Sequence, residues 1–222
     1  MKTLPKGALI VSCQARADNP LHGPVHMAAM AQAAQQGGAR GLRANGPEDI
    51  AAIRAVSDLP MIGIHKVFAG DVPVYITPTL AAADGVMAAG AQIVGLDCTD
   101  RPRQGDDWRA IIAHVAAQGC ASFADISTLE EGIAAAEAGA DYVATTLSGH
   151  TDYTSAPENG GPDLALITAL ANRLNVPIVA EGRIRTAAEV RAALDAGAHA
   201  VVVGTAITNP REITRGFIGG LA

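Results

Sequence analysis

Apolar residues along this chain fall into two alternating rhythms. Short continuous apolar runs, as expected of strands buried on both faces, are each followed by a longer stretch whose apolar positions recur at helical spacing. Eight strands are predicted, at 8–14, 39–44, 61–66, 93–98, 121–126, 141–146, 177–182 and 200–205. Helices are predicted between them, at about 25–37, 47–57, 79–89, 106–118, 128–138, 163–174, 186–196 and 210–220. Gly-Ala recurs at 38–39, 90–91, 139–140 and 197–198, each time ahead of an even-numbered strand. The glycine ends a helix there, and the alanine begins the link to the next strand. The units thus pair as four βαβα repeats.

Eight βα units in 222 residues predict an α/β chain folded as a single (β/α)8 TIM barrel, one catalytic domain over 1–222. The rival is an open doubly wound sheet. Against it, the first strand runs into "VSCQARADNP", with no glycine-rich dinucleotide fingerprint. The longest irregular stretches, 67–78 and 147–162, follow strands three and six. Both fall on the C-terminal face, where barrel enzymes keep their active sites.

Composition removes several classes of function. The chain is 49% hydrophobic but only 3% aromatic, so its core is aliphatic. A net charge of -6 without a basic run disfavours nucleic acid, whose backbone needs clustered cations. Cys13, Cys98 and Cys120 form no CxxC spacing and read as reduced thiols in a cytoplasmic protein. No stretch approaches the ~20 apolar residues of a membrane span, and the first apolar run is too short for a signal peptide. The stretch "GFIGGLA" at 216–222 is open to two readings, core or the interface of a homodimer.

In a barrel the strand ends surround one pocket. They bring together Gln14, Arg16, Arg43, His65, Lys66, Asp97, Asp125, Thr145, Thr146, Glu181, Arg183, Gly204 and Thr205, whereas the opposite ends are apolar or small. Such polar convergence marks a site. Lys66 stands out because the only other lysines, Lys2 and Lys6, lie near the N-terminus, while arginine occurs thirteen times. A desolvated lysine there serves as a base or as a Schiff-base nucleophile, against the plainer reading of a solvated or ion-paired side chain. Glu181 ends the apolar run "PIVAEG" and is either functional or a partner for Arg183, Arg43 or Lys66. Asp125 is either a site residue or a cap for the next helix. "AEGRIRTAAEV" and "VVVGTAITNP", after strands seven and eight, offer glycines, free backbone N–H groups and helix N-termini in the fold's usual phosphate position. Metal motifs are missing, with no HxH or HExxH, and a hard-cation site from Asp97, Asp125 and Glu181 is the weaker reading.

These strand ends lie in stretches that read in order "VSCQA", "GLRANG", "IGIHK", "YITPT", "FADIST", "ATTLSGHT", "IVAEGRI" and "VVVGTAIT". In that order and at that spacing they resemble the bacterial N-acetylmannosamine-6-phosphate 2-epimerases of the ribulose-phosphate-binding barrel group, over nearly the whole chain. The resemblance implies interconversion of N-acetylmannosamine 6-phosphate and N-acetylglucosamine 6-phosphate in amino-sugar and sialic acid breakdown, without a cofactor. It implies that Lys66 and Glu181 are the catalytic pair and that Gln14, Arg43 and Asp125 hold the sugar. Gly182, Arg183, Arg185, Gly204 and Thr205 would hold the phosphate. The chain departs from the family pattern at three places: His150 stands for a usual tyrosine, Asn209 for an arginine, and Arg185 for a neutral polar residue. A cation is thus expected to have moved from the strand-eight loop to the strand-seven loop.

Inversion at C2 requires a carbon acid, and C2–H is acidic only beside the C1 aldehyde of the open-chain sugar. A base, an acid and a cation for the oxyanion are needed. Two other classes stay open on the residues alone. A Schiff-base aldolase would leave Lys66 as a borohydride-reducible imine, and a non-catalytic sugar-phosphate sensor would show no exchange at C2.

Overall fold

The computed structural model of the chain describes residues 3–158 and 160–221. Lys2 and Ala222, which fall in stretches discussed above, lie outside them. Eight parallel strands close into a barrel in chain order: β1 (Ala8–Cys13), β2 (Gly41–Asn45), β3 (Met61–Ile64), β4 (Ile93–Asp97), β5 (Ala121–Asp125), β6 (Tyr142–Ala144), β7 (Ile178–Glu181) and β8 (Ala200–Val203). The helices are α1 (Pro24–Gln36), α2 (Pro47–Arg54), α3 (Leu80–Ala88), α4 (Trp108–Ala117), α5 (Leu129–Glu137), α6 (Leu164–Arg173), α7 (Ala187–Asp195), α8 (Thr205–Thr208) and α9 (Pro210–Gly219). The predicted fold class is the observed one.

Alternation along each strand sorts two cores. Ile10, Ile62, Ile93, Phe123, Val179 and Val202 fill the barrel. Val11, Leu42, Val94, Ala124, Val143 and Val201 face outward onto Met27, Ile50, Ile111 and Leu170 of the helices. Both faces are therefore dry, which explains the continuous apolar runs. At the N-terminal end, Leu4 plugs the barrel: its N–H donates to the Tyr142 hydroxyl (3.1 Å) and its carbonyl contacts His199 Nε2 (2.8 Å). Beside the plug β1 meets β8, with Leu9 opposite Val201.

The recurring glycines stand just past helix ends with φ of 96° at Gly38, 103° at Gly90, 93° at Gly139 and 106° at Gly197. Only glycine adopts this region without strain, so the repeat records a backbone requirement.

The strands are shorter than predicted. Gln14, Lys66, Thr146, Gly182 and Gly204 lie just beyond the ladder, where the chain turns into the mouth of the barrel. The strand predicted at 200–205 stops at Val203, and after Gly204 the four residues Thr205–Thr208 form α8, which periodicity cannot detect at one turn in length. The amphipathic α9 leaves Phe217 (77% exposed), Ile218 (61%) and Leu221 just beyond it (82%) in the open, so the described part of "GFIGGLA", 216–221, is not core. Among the described residues no helix is long and apolar enough to cross a membrane.

Candidate active site

Arg43 is the centre of the site. It points inward from β2 and is 1% exposed. Beside it on β4, Gly95 leaves space that Ile64 uses: an added Cβ would stand 2.6 Å from Ile64 Cγ2 but only in ordinary contact, 3.8 Å, with Arg43 Nη2. Arg43 Nη1 and Nη2 donate to Asp125 Oδ1 (2.9 Å) and Oδ2 (2.7 Å). Nη1 also donates to Glu181 Oε2. The guanidinium lies over the Phe123 ring, 5.1 Å from its centroid. Burial alone would lower the Arg43 pKa, but the two carboxylates outweigh burial and hold it above its ordinary value. Its Nε is buried without a hydrogen-bond partner among the described residues.

Glu181 is the last residue of β7, opposite Val202. Its backbone is pinned to the end of β6, with its N–H donating to Thr145 Oγ1 (3.2 Å) and its carbonyl accepting from the same hydroxyl (3.0 Å). Burial raises the Glu181 pKa, opposed by Arg43 and reinforced by Asp125. A carboxyl whose pKa is raised is easier to protonate, the direction a proton-exchanging group needs.

Lys66 follows β3 in a hairpin and not in a loose loop. It bridges antiparallel to Ile76, Val67 N–H donates to the Tyr75 carbonyl (2.9 Å), and Lys66 N–H donates to Asn45 Oδ1 (2.8 Å). Thr77 locks the base of the hairpin by donating Oγ1–H to the Gly95 carbonyl (2.6 Å), at a left-handed φ of 46°. Burial lowers the Lys66 pKa to about 8, helped by Arg43 and opposed by Glu181. Half of the amines are therefore uncharged near pH 8, as a base requires.

Lys66, Glu181, Arg43 and Gln14 line one cavity of about 1340 Å³ at the C-terminal mouth. Gln14 Nε2 donates to Ser12 Oγ (2.9 Å), while its Oε1 is buried without a partner among the described residues and is available to a hydroxyl. Gly182, Arg183, Arg185, Gly204 and Thr205 line the same cavity. With Arg16 and Arg211 the wall holds six cations against three acids, Asp18, Glu181 and Glu212, although the chain as a whole is negative. Such a cavity concentrates anions. The Gly204–Thr205 turn leads into α8, and a short extra helix after the eighth strand is a common phosphate cradle of this fold.

Some predicted residues sit differently from the sequence expectation. Asp125 is fully buried and lies behind Arg43, which takes both its oxygens. It does not cap α5, because Thr128 does. Arg183 has a left-handed φ of 58°, and its guanidinium donates to the carbonyls of Ser148 (2.5 Å) and Gly161 (2.9 Å). These bonds tie Nε and Nη1 to the loop after β6, so the side chain anchors that loop as well as lining the cavity. Arg185 Nη1 reaches the Gly160 carbonyl (3.3 Å). Asp97 is buried and paired with Arg101 (2.6 Å), and it does not line the cavity. His150 lines the cavity, and burial with the nearby cations Arg183 and Arg101 lowers its pKa, so it is neutral at pH 7. Asn209 caps α9, accepting from Glu212 N–H (3.4 Å). Sequence reasoning missed Arg211, in the first turn of α9 and 3.1 Å from Asp18 Oδ2. Its signal was the cation two residues past Asn209. Among the described residues no three His, Cys, Asp or Glu side chains gather as a metal would need.

Comparison with known proteins fits this geometry. The family model described as "Putative N-acetylmannosamine-6-phosphate epimerase" matches residues 27–221. A curated relative named for the corresponding 2-epimerase, from Caldanaerobacter subterraneus subsp. tengcongensis, is 50% identical over 96% of this chain and 90% of its own length. Another, from Synechococcus elongatus, is 52% identical over 91% of this chain and 88% of its own length. The solved structure of the N-acetylmannosamine-6-phosphate 2-epimerase from Clostridium perfringens is 44% identical, with a TM-score of 0.93 over 97% of this chain and 94% of that one. A thiamine phosphate pyrophosphorylase from Pyrococcus furiosus, 17% identical at a TM-score of 0.65, shares the fold alone.

Proposed function

The chain belongs to the N-acetylmannosamine-6-phosphate epimerase family, and from that premise we propose how its residues interconvert N-acetylmannosamine 6-phosphate and N-acetylglucosamine 6-phosphate. The reaction is an isomerisation at C2, and it belongs to amino-sugar catabolism. The observation that carries the residue assignment is electrostatic. Lys66 and Glu181 line one cavity, each feels the other's charge, and Arg43 stands between their influences.

The open-chain sugar presents its C1 aldehyde and the acidic C2–H. Lys66 and Glu181 are the two groups that remove and return the proton, their shifted pKa values bringing both nearer neutrality than free lysine and glutamate. Arg43 faces the enolate oxygen. Because Asp125 and Glu181 already hold its guanidinium in place, little reorganisation accompanies the reaction. Gln14 accepts a sugar hydroxyl, and Asp125 acts on the sugar through Arg43. The phosphate sits on the backbone of Gly182–Arg183 and Gly204–Thr205, with Arg185 as its cation. Binding there orients C2 between the catalytic groups. The barrel serves as one catalytic domain in the cytoplasm, and the exposed apolar side of α9 is the face a homodimer would cover.

Proton NMR in deuterium oxide with N-acetylmannosamine 6-phosphate tests the activity. The epimer is expected to form with deuterium at C2. Product without deuterium would demand a shielded transfer by a single base, and no product would remove the epimerase reading.

Arg185→Ala tests the phosphate assignment. One lost charge-assisted contact should raise KM about tenfold and leave kcat within about twofold. An unchanged KM would take Arg185 out of the site and leave Arg211 as the cation.

A further inference from the structure

Thr146 stands where the chain leaves β6 for the cavity, and nothing above uses its side chain. Its Oγ1 is 2.5 Å from Asp125 Oδ1 and 3.3 Å from Glu181 Oε2. The same two carboxylate oxygens flank Arg43 Nη1. A hydroxyl has one proton and two lone pairs, so it donates to one carboxylate only. The shorter contact assigns that proton to Asp125. Of its two lone pairs, one faces Arg43 Nη1 at a long 3.5 Å, and the other is left to face Glu181 Oε2. Protonated Glu181 can donate to it, whereas ionised Glu181 only opposes it with a lone pair of its own.

We propose that Thr146 is a positioning residue that accepts the carboxyl hydrogen of Glu181 while donating its own hydrogen to Asp125, and so favours the state in which Glu181 carries the exchanged proton. The relay is static: it runs Glu181 O–H to Thr146 Oγ1–H to the Asp125 carboxylate, and no proton leaves Glu181 along it. Its catalytic meaning rests on the reading of Glu181 as a proton-exchanging group at C2. The charged and titratable groups around Glu181 are Arg43 from β2, Lys66 after β3 and Asp125 from β5, with Arg183, Arg185 and the neutral His150 on the adjoining loops. On β8 its neighbour is Val202. Thr146→Val keeps all of these groups and removes the hydroxyl, with its contacts to Asp125, Glu181 and, at 3.5 Å, Arg43 Nη1.

The midpoint of Glu181 can be followed without substrate, by carbon NMR of the carboxyl in glutamate-labelled protein, its signal assigned by its loss in Glu181→Gln. Thr146→Val is expected to lower that midpoint by about one pH unit, and Thr146→Ser to restore it. Thr146→Ala repeats the test if the valine variant does not fold. The Glu181 limb of the kcat/KM pH profile should move by the same amount, with KM nearly constant. An unmoved midpoint would make Thr146 merely structural, and a raised one would mean that its hydroxyl donates to Glu181. Either result overturns the proposal. A lowered midpoint in a chain that exchanges nothing at C2 would keep the relay and sink the epimerase reading instead.

Discussion

Lys66→Met is expected to abolish deuterium entry at C2 and, in the same protein, to raise the melting temperature. The first effect follows from the chemistry. Without an amine at the end of β3, only Glu181 can handle the C2 proton, and the rate should fall by at least about a thousandfold. The second follows from burial. The environment pushes Lys66 from 10.5 down to about 8, so the folded protein disfavours its charged form. Below pH 8 the amine is charged in folded and unfolded chains alike, and the full cost of burying it falls on the folded state. Between pH 8 and 10.5 the folded protein sheds the proton first, and stability rises with pH. Methionine fills a similar shape without charge. Discounted for partial exposure, the gain at pH 7 should be on the order of 1–2 kcal/mol, or roughly 2–8 °C. It should shrink as pH rises toward 10.5. Circular dichroism melts and the exchange assay check the two halves. Activity within about tenfold of wild type would remove Lys66 from the chemistry, and a lower melting temperature would mean that its charge is paired. Glu181→Gln should be equally inactive.

The largest loss of stability is expected at Asp125, which does not itself line the cavity. Arg43 is 1% exposed, and Asp125 supplies two of its three carboxylate contacts. Asp125→Ala would leave a buried guanidinium half paired, which costs about 3–5 kcal/mol. Urea unfolding would show this as a fall in midpoint. Activity should vanish as well, because Arg43 would no longer be held facing the substrate oxygen. Arg43→Met combined with Asp125→Leu should recover most of the stability and none of the activity, since a buried ion pair is often replaceable by packed apolar groups. A single variant within about 1 kcal/mol of wild type would mean that water or Glu181 alone satisfies Arg43.

Much of this was legible in the chain. Runs such as "IVGLD" and "AVVV" are apolar on both faces because helices cover one and the barrel interior the other, and that makes a parallel barrel readable. Lys66 and Glu181 were visible as charges that end such runs. The pairing of Arg43 with Asp125 was not, because it joins residues 82 apart on different strands. The opposite use of Arg183 was hidden for a similar reason, since no pattern announces that a side chain will turn back to two carbonyls. The one-turn α8 and the hairpin after β3 were hidden by length. Thr146 looked like one of two adjacent threonines, and only the register of β6 decides which of them faces inward.

The junction of β1 with β8 has a consequence for the making of the protein. Leu9 is synthesised long before Val201, its partner across the seam. At about 5–20 residues per second the ribosome needs on the order of 10–40 s to bring the second after the first. Throughout that interval the apolar edge of β1 and the underside that Leu4 will plug have no cover. The nascent chain thus carries an open sheet edge for most of its synthesis, the kind of edge that invites pairing with another chain until β8 arrives to cover it.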